Sequence, residues 1–256
     1  MHALKTGWRR WRLRRLLTQH PIPTDLWLDV TRRMPTLDGL DAIRMVRLRV
    51  LATWFLRDKT ITGAQNLAVT PDMRVAVAAQ ACQLILALDV SYFDGWSEVI
   101  LYPGAFRTRH EQMDDAGIVH HDARTLSGEA WLHGPVVLAW AEVEEELFHP
   151  HAGRNVVVHE FAHKLDGLNG AMNGMPPLHR GMHRPDWTRA FGRAYARLRL
   201  QLARGDATLL DPYAATNPAE FFAVASEYYI TAPQLLLTGY PEVYAQLDLF
   251  YRPAPS

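Results

Sequence analysis

The sequence contains little cysteine and no long hydrophobic run, and both absences exclude classes of protein. A single cysteine among 256 residues, Cys82, excludes an internal disulfide framework and a cysteine-rich zinc or iron–sulfur site. No window approaches the roughly 18 apolar residues of a membrane span. A signal peptide would need an uncharged apolar stretch followed by small residues, and the sequence shows none. We therefore expect a cytoplasmic protein without a membrane span.

Net charge is also absent, because 27 basic and 27 acidic side chains balance. Domains that mainly bind nucleic acid are usually strongly basic, so no direct nucleic-acid binding is expected. The balance hides a contrast, because the first 24 residues hold six basic and no acidic side chains, which leaves 21 basic against 27 acidic groups in the rest. We interpret residues 1–23 as a basic N-terminal arm that packs on the body, binds a partner or contacts a membrane surface.

Local patterns predict more helices than strands. Periodic apolar residues predict helices over 38–56, 71–89, 155–165, 186–202 and 217–230, with a last helix from Pro241 and with Thr24 or Asp25 capping an early one. Short apolar runs predict strands at 99–102, 130–132 and 136–140, the last two as a hairpin or small meander. Residues 60–70 and 167–185 are predicted to be loops, and the second is long enough to cover a cleft. The acidic cluster at 142–146 is interpreted as a solvated turn or a helix start.

Residues 159–163 carry the pattern H-E-x-x-H. On a helix, residues four apart differ by about 40° around the axis, so the imidazoles of His159 and His163 leave the same face one turn apart. Two nitrogen ligands then converge on one point, as a zinc site requires. Glu160 lies beside that point but is angled away from direct ligation, so it can accept a proton from a metal-activated water. The alternative is a solvent-facing helix with incidental histidines, which the apolar residues at 156–158 argue against.

A hydrolytic zinc site needs a third protein ligand and an open position. The strongly apolar helix predicted over 217–230 carries Glu220 and Glu227, which lie two turns apart on nearly the same face. A buried carboxylate needs a partner, and a divalent metal is a suitable one. One glutamate would bind the metal while the other supports a histidine from behind. The alternative for each is a salt bridge at a helix end.

Other residues near this pattern have two interpretations each. Asp166 either orients a ligating imidazole or ends the helix before Gly167, and Tyr213 taken alone is a common turn aromatic. Four more histidines flank the pattern and are interpreted as surface or loop residues: His149, His151, His179 and His183. The alternative for one of them is that it shapes a substrate pocket.

The segments HEFAHKLD at 159–166 and PAEFFAVASEY at 218–228 together resemble the Mlc titration factor A family of zinc peptidases. A weaker match extends to residues 101–103 and 134–140, so the resemblance covers most of the chain from about Asp38 onward. The catalytic core of that family is similar to that of lethal-factor-type zincins. The resemblance implies a mainly helical α+β fold with a zincin-type, gluzincin-like metallopeptidase core.

The resemblance also implies roles for individual residues. One Zn²⁺ per chain would be bound by His159, His163 and Glu220, with Glu160 as the general base. Tyr213, seven residues before Glu220, would donate a hydrogen bond to the oxyanion. A zinc metallopeptidase with aminopeptidase-like activity is implied, together with a transcriptional repressor of sugar uptake as a binding partner.

We therefore expect the protein to hydrolyse bonds of a peptide or protein substrate. Two alternatives stay open, namely a regulatory protein that sequesters the repressor with little or no catalysis, and a metal-dependent hydrolase of a non-peptide amide. Residues 24–256 are predicted to form one peptidase domain, with a helical N-terminal part over about 24–90, a small sheet over about 98–140 and the metal-binding helices within 153–230. The strand at 136–140 is either an edge that aligns an extended peptide or part of an ordinary core hairpin.

Overall fold

The computed structural model of the protein describes residues 21–104, 112–113, 119–120 and 134–252. Residues 1–20 of the predicted basic arm at 1–23, and the predicted strand at 130–132, lie outside the described residues. The helices within this part are α1 (Thr24–Thr31), α2 (Ala42–Asp58), α3 (Pro71–Leu84), α4 (Trp140–Phe148), α5 (Val156–Asp166), α6 (Arg184–Ala203), α7 (Pro218–Thr231), α8 (Pro233–Gly239) and α9 (Pro241–Tyr251). The strands are β1 (Thr60–Gly63), β2 (Glu98–Tyr102), β3 (Gln112–Met113), β4 (Val119–His120) and β5 (Val136–Ala139). The mainly helical α+β character is therefore confirmed, and none of these helices combines the length and apolar character needed to cross a bilayer.

Strands β1, β2 and β5 form a small parallel sheet in that order. Ile61 pairs with Val99, and Leu101 pairs with Leu138. All four side chains are buried, which agrees with the usual covering of parallel strands by helices. Within the described part of the chain, strand β5 lies at one edge of this sheet, while β3 and β4 pair separately as an antiparallel ribbon.

Helix α5 is anchored by aromatic packing on the face opposite its two histidines. The ring of Phe161 is fully buried, and its centroid lies between 5.3 and 5.7 Å from the rings of Phe55, Phe93 and Trp96. Aromatic pairs at such distances add to the free energy gained from burial. The helix also contacts β5, so the small sheet lies beside the helix that carries H-E-x-x-H, as predicted.

A second aromatic cluster orients the C-terminal helices. Trp187 of α6 stacks on Phe191 with ring centroids 4.2 Å apart, and it contacts Phe222 of α7 and Phe250 of α9. The Trp187 side chain is only 1% exposed. Helix α7, which carries the two predicted glutamates, is thereby fixed between its neighbours.

Two predicted element boundaries in the N-terminal half are wrong. Residues 60–63 form β1 instead of a loop, because hydrogen bonds to β2 stabilise a strand in which only Ile61 is buried. Helix α3 ends at Leu84 instead of Asp89, since Ile85 leaves helical geometry with φ −105° and ψ 16°. Ile85 and Leu88 are buried outside the helix, so their apolar character reflects burial and not helical periodicity.

Further corrections concern strand β5 and two helix caps. Strand β5 ends at Ala139 and pairs in parallel with β2, and Trp140 already begins α4, which contains the acidic cluster. Helix α6 starts after His183, with Pro at its beginning, so Asp186 lies in the first turn instead of capping the helix. In the first turn its negative charge interacts favourably with the positive end of the helix dipole. Helix α1 starts after Pro23, which replaces Thr24 or Asp25 as the residue at the N-cap.

The aromatic anchor of α5 can be tested by shortening Phe161. The substitution Phe161→Ala is expected to lower the free energy of unfolding by about 3–5 kcal/mol, because it leaves a cavity among buried rings. Phe148→Ala is the matched control, since this ring is 44% exposed and its loss should cost less than about 1 kcal/mol. Urea denaturation followed by circular dichroism measures both, and equal small losses would contradict the assigned anchor.

Candidate metal centre

Helices α5 and α7 lie side by side in opposite directions, and this packing brings the predicted ligands together. Asn155 contacts Glu227 near one end of the pair, and His163 contacts Glu220 near the other. The Nε2 atoms of His159 and His163 and the Oε2 atom of Glu220 lie 3.1–3.2 Å from one another. Across the described ranges, this is the one group of three or more side chains with the arrangement of metal ligands.

The donor set fits a divalent metal ion such as zinc. A tetrahedral zinc ion with bonds of about 2.0–2.1 Å needs neighbouring ligand atoms about 3.3–3.4 Å apart, which is close to the separations found. Two imidazole nitrogens that face a carboxylate oxygen at such distances need either a cation or protons between them. All three side chains are only partly exposed, between 13% and 15%, so an ion would keep an open side.

Each of the two helices begins with an asparagine cap close to a ligand. The Asn155 side chain accepts a hydrogen bond from the Val158 N–H at 2.9 Å. The Asn217 side chain accepts one from the Glu220 N–H at 3.0 Å. Such caps satisfy amide groups that have no partner within the helix. Local sequence therefore fixes the backbone at Glu220 and at Val158, the residue before His159.

Glu227 lies behind His159, where the sequence predicted a supporting carboxylate. Its Oε1 atom is 2.8 Å from Nδ1 of His159, and its Oε2 atom accepts the Asn155 N–H at 2.6 Å. Once Nε2 has lost its proton, donation from Nδ1 to this carboxylate would leave the Nε2 lone pair directed toward the other two ligands. A carboxylate at this position would favour the ring orientation and the tautomer that metal binding requires.

Electrostatics favour opposite charges on His159 and Glu220. Burial of the His159 imidazole opposes its protonation, but hydrogen bonds to Glu220 and Glu227 outweigh burial and raise the pKa of His159 to about 10. Burial alone would raise the pKa of Glu220, but hydrogen bonds from His159 and His163 hold this pKa well below its usual range. A metal ion that binds here must therefore displace a proton from His159.

Glu160, the predicted general base, is half-buried on α5 next to the cluster. Its charge interacts with His159 and with Lys164 one turn later. Burial lowers the pKa of Lys164 to about 8, although Glu160 opposes this shift. The Lys164 Nζ donates a hydrogen bond to the Gly134 carbonyl at 2.7 Å, which joins α5 to the start of strand β5.

Tyr213 lies beside the His159 imidazole. It belongs to a short 3₁₀ helix, Pro212–Ala215, and its backbone N–H donates to the Asp211 carboxylate at 2.8 Å. The centroid of its ring is 6.1 Å from that of the His159 imidazole, and the side chain is 47% exposed. The ring is thus close to a ligand and accessible to a bound molecule.

Asp166 is fully buried at the end of α5, where its Oδ2 atom accepts the Gly174 N–H at 2.8 Å. Its Oδ1 atom and the Nδ1 atom of His163 each have no hydrogen-bond partner within the described part of the chain. Burial raises the pKa of Asp166 to about 6, although backbone N–H donors and His163 oppose the shift. Asp166 therefore binds the loop that follows the helix, and orientation of His163 by Asp166 stays a prediction.

The loop after α5 is joined to the body at several points. The Tyr92 hydroxyl donates to the Pro177 carbonyl at 3.1 Å, and Nε2 of His179 lies 2.8 Å from the Leu249 carbonyl oxygen. The idea that this loop covers a cleft stays a prediction. His149 and His151 are exposed, and neither they nor the histidines of the loop belong to the cluster.

Two residues behind the site were missed by sequence reasoning. The Gln80 side chain of α3 accepts a hydrogen bond from the Asn155 amide at 2.8 Å, and the Glu146 carboxylate of α4 accepts the Val156 N–H at 2.6 Å. Both contacts stabilise the first turn of α5. Gln80 is 75 residues away in sequence, and no local spacing marks either residue as part of the site.

Fold and site together define a mainly helical α+β protein with a His-His-Glu cluster suited to a divalent metal. The chain belongs to the family described as glucose-regulated metallo-peptidase M90, whose family model matches residues 8–252. It is 36% identical over 233 residues to Mlc titration factor A of Serratia proteamaculans, covering 90% of this chain and 87% of that protein. Identity to Mlc titration factor A of Pectobacterium atrosepticum is 37% over 227 residues, or 87% and 84% of the two chains.

An uncharacterised protein of Synechocystis sp. is 34% identical over 245 residues, which cover 95% of this chain and 89% of that protein. The relatives are thus matched over most of their length. The resemblance to the Mlc titration factor A family is confirmed, and membership of a metallo-peptidase family agrees with a metal ion at the cluster.

The supporting role of Glu227 generates a prediction about metal affinity. Glu227→Gln is expected to weaken Zn²⁺ binding about 10- to 100-fold, because the neutral amide no longer favours donation from Nδ1 of His159. Competition with a chromophoric chelator measures the affinity. Glu242→Gln, on the exposed side of α9, is the control and should bind like the wild type. Unchanged affinity in the Glu227 variant would contradict the role given to this carboxylate.

The raised pKa of His159 predicts that metal affinity depends on pH. Because the folded-state pKa is about 10, the metal-free imidazole is protonated at neutral pH, and metal must displace this proton. Affinity should therefore fall about tenfold for each unit by which pH is lowered. Calorimetric titration in buffers of different ionisation enthalpy should show about one proton released, whereas proton-independent binding would be inconsistent with this charge state.

Proposed function

We propose that the protein is a zinc-dependent peptidase. The single observation that carries the proposal is the convergence of two imidazole nitrogens and one carboxylate oxygen within 3.2 Å of one another, with Glu160 on the same helix. A site built only to stabilise the fold usually has four protein ligands, whereas catalytic zinc sites have three and an open position. Membership of a metallo-peptidase family supports the same conclusion.

In this proposal His159, His163 and Glu220 would hold one Zn²⁺ per chain. When bound, zinc supplies a Lewis acid and brings the pKa of a coordinated water to about 7. The chain's contribution is to hold the three ligands in place. Glu227 does so for His159, and the cap at Asn217 does so for Glu220.

Glu160 is proposed to move the proton of the reaction. As general base it accepts a proton from the attacking water, and as general acid it returns that proton to the leaving amine. Tyr213 is proposed to donate a hydrogen bond to the oxygen that becomes negative in the tetrahedral intermediate. Its accessible ring beside His159 supports this role.

Strand β5 is proposed to align the substrate. Among the described strands it lies at the edge of the parallel sheet, and it contacts helix α5. An extended peptide can add to such an edge through backbone hydrogen bonds, while its side chains provide specificity. This arrangement supports a peptide substrate over a small non-peptide amide, and aminopeptidase-like activity is the form of hydrolysis that we propose.

A second candidate function is regulatory binding, with or without hydrolysis. The observation that favours it is the name of the relatives, Mlc titration factor A, which indicates binding of Mlc by those proteins. We propose that this chain likewise binds a transcriptional repressor, in the cytoplasm, where such a repressor acts. Sequestration of the repressor needs no general base, so the two functions separate at Glu160.

Glu160→Gln is the variant that separates them. Peptidase activity on short peptide amides should fall about 10²- to 10⁴-fold, because the amide cannot accept the proton. Zinc content and repressor binding should be unchanged, as measured by atomic emission and by calorimetry. Glu242→Gln serves as the control for loss of an acidic side chain far from the site, and should keep full activity.

Retention of cleavage by Glu160→Gln would exclude the assigned mechanism. Absence of cleavage by the wild type over a panel of peptides, together with tight repressor binding, would instead favour the regulatory function. Cleavage restricted to non-peptide amides would instead indicate a metal-dependent hydrolase of non-peptide amides.

The role of Tyr213 predicts a separate kinetic result. Tyr213→Phe should lower kcat about 10²- to 10³-fold with little change in KM, because the lost hydrogen bond is made mainly in the transition state. Steady-state kinetics on one peptide measures both constants. A rise in KM at constant kcat would mean that the ring binds substrate and does not stabilise the oxyanion.

A further inference from the structure

Gly174 lies where helices α5, α6 and α7 meet. Its N–H donates to Oδ2 of Asp166 on α5 at 2.8 Å, and its carbonyl accepts the indole N–H of Trp187 on α6 at 2.9 Å. Its α-carbon faces the carbonyl group of Pro218, the first residue of α7. Gly174 is buried. We call Gly174 and these three partners the Gly174 junction.

The Gly174 junction is adjacent to both helices that carry proposed metal ligands. Asp166 lies three residues after His163, and Pro218 lies two residues before Glu220. Within one helical turn the backbone is rigid, so the two ligands follow the positions of these two residues. Gly174, which has no side chain, lies against both Asp166 and Pro218.

Glycine is required at position 174 for two reasons. Its φ of +77° lies in the left-handed region that L residues rarely adopt. In addition, a Cβ atom would lie closer than 3.0 Å to both atoms of the Pro218 carbonyl group, a contact that backbone must move to relieve. Where Pro218 is the group that moves, the start of α7 shifts and Glu220 shifts with it.

We propose that Asp166 and Gly174 are positioning residues that set the distance between His163 and Glu220, and therefore the geometry of the metal site. The inference rests on the proposed function, since it assumes that His163 and Glu220 bind the same ion. The Oε2 atom of Glu220 lies 3.2 Å from Nε2 of His163, and metal sites tolerate bond-length errors of only about 0.2 Å. A small displacement of α7 is therefore sufficient to weaken binding.

Gly170 provides a matched control within the same loop. It also has a positive φ, +87°, but a Cβ atom built there has no atom within 4 Å. Gly170→Ala and Gly174→Ala thus introduce the same methyl group at backbone conformations that are similarly unfavourable for alanine. Only Gly174→Ala places a methyl group against α7, so the difference in metal affinity between the two variants reports the contact with Pro218.

The test measures metal binding by both variants and the wild type. Gly174→Ala should bind Zn²⁺ at least about tenfold more weakly than the wild type in chelator competition, and the visible absorption spectrum of its Co²⁺ form should shift. Gly170→Ala should stay within about twofold of the wild type, with an unchanged Co²⁺ spectrum. Thermal melting of the metal-free proteins is recorded beside these values, because a purely structural role would lower Tm alone.

The outcomes separate this inference from the proposed function. Equal affinities and equal Co²⁺ spectra for the two glycine variants, with tight binding by the wild type, would overturn the positioning role alone. A wild type that binds no Zn²⁺ would overturn the proposed function and this inference with it. If Gly174→Ala does not fold, Asp166→Ala replaces it, because alanine cannot accept the Gly174 N–H; weakened Zn²⁺ binding with a shifted Co²⁺ spectrum supports the inference, and wild-type values overturn it.

Discussion

The carboxylate of Glu227 binds two groups of helix α5 at once, the Nδ1 atom of His159 and the backbone N–H of Asn155. This contact is buried, and a buried carboxylate without partners would be costly, so it fixes α7 against α5 in one register and one direction. Two turns earlier on α7, Glu220 contacts both imidazoles. The arrangement of the three proposed ligands therefore depends on the contacts of Glu227, which is not itself one of them.

The rest of the fold holds these two helices from their outer faces. The rings around Phe161 anchor α5 beside the sheet, and the cluster around Trp187 anchors α7. Gln80 and Glu146 support the first turn of α5. Gly174 lies between the last residue of α5 and the first residue of α7. Such preorganisation suits a site whose ligands must converge within tenths of an ångström.

Local patterns allowed the prediction of most helices and of the pair His159 and His163, because an H-E-x-x-H helix places both rings on one face without help from other elements. The two glutamates were identified by their apolar surroundings, but the choice of Glu220 as ligand came from a family resemblance. Strand β1, the parallel pairing of β5 and the contacts of Gln80 depend on residues far apart in sequence. Spacing along the chain carries no information about them, since tertiary packing decides such elements.

We propose that one zinc ion is bound by two imidazoles and one carboxylate where α5 and α7 pack together. X-ray absorption at the zinc edge of the purified protein tests it most directly. We expect one zinc per chain, bonds of about 2.0–2.1 Å to nitrogen and oxygen, and scattering from two imidazole rings. A spectrum with sulfur ligands, or one without imidazole scattering, would contradict this set of ligands.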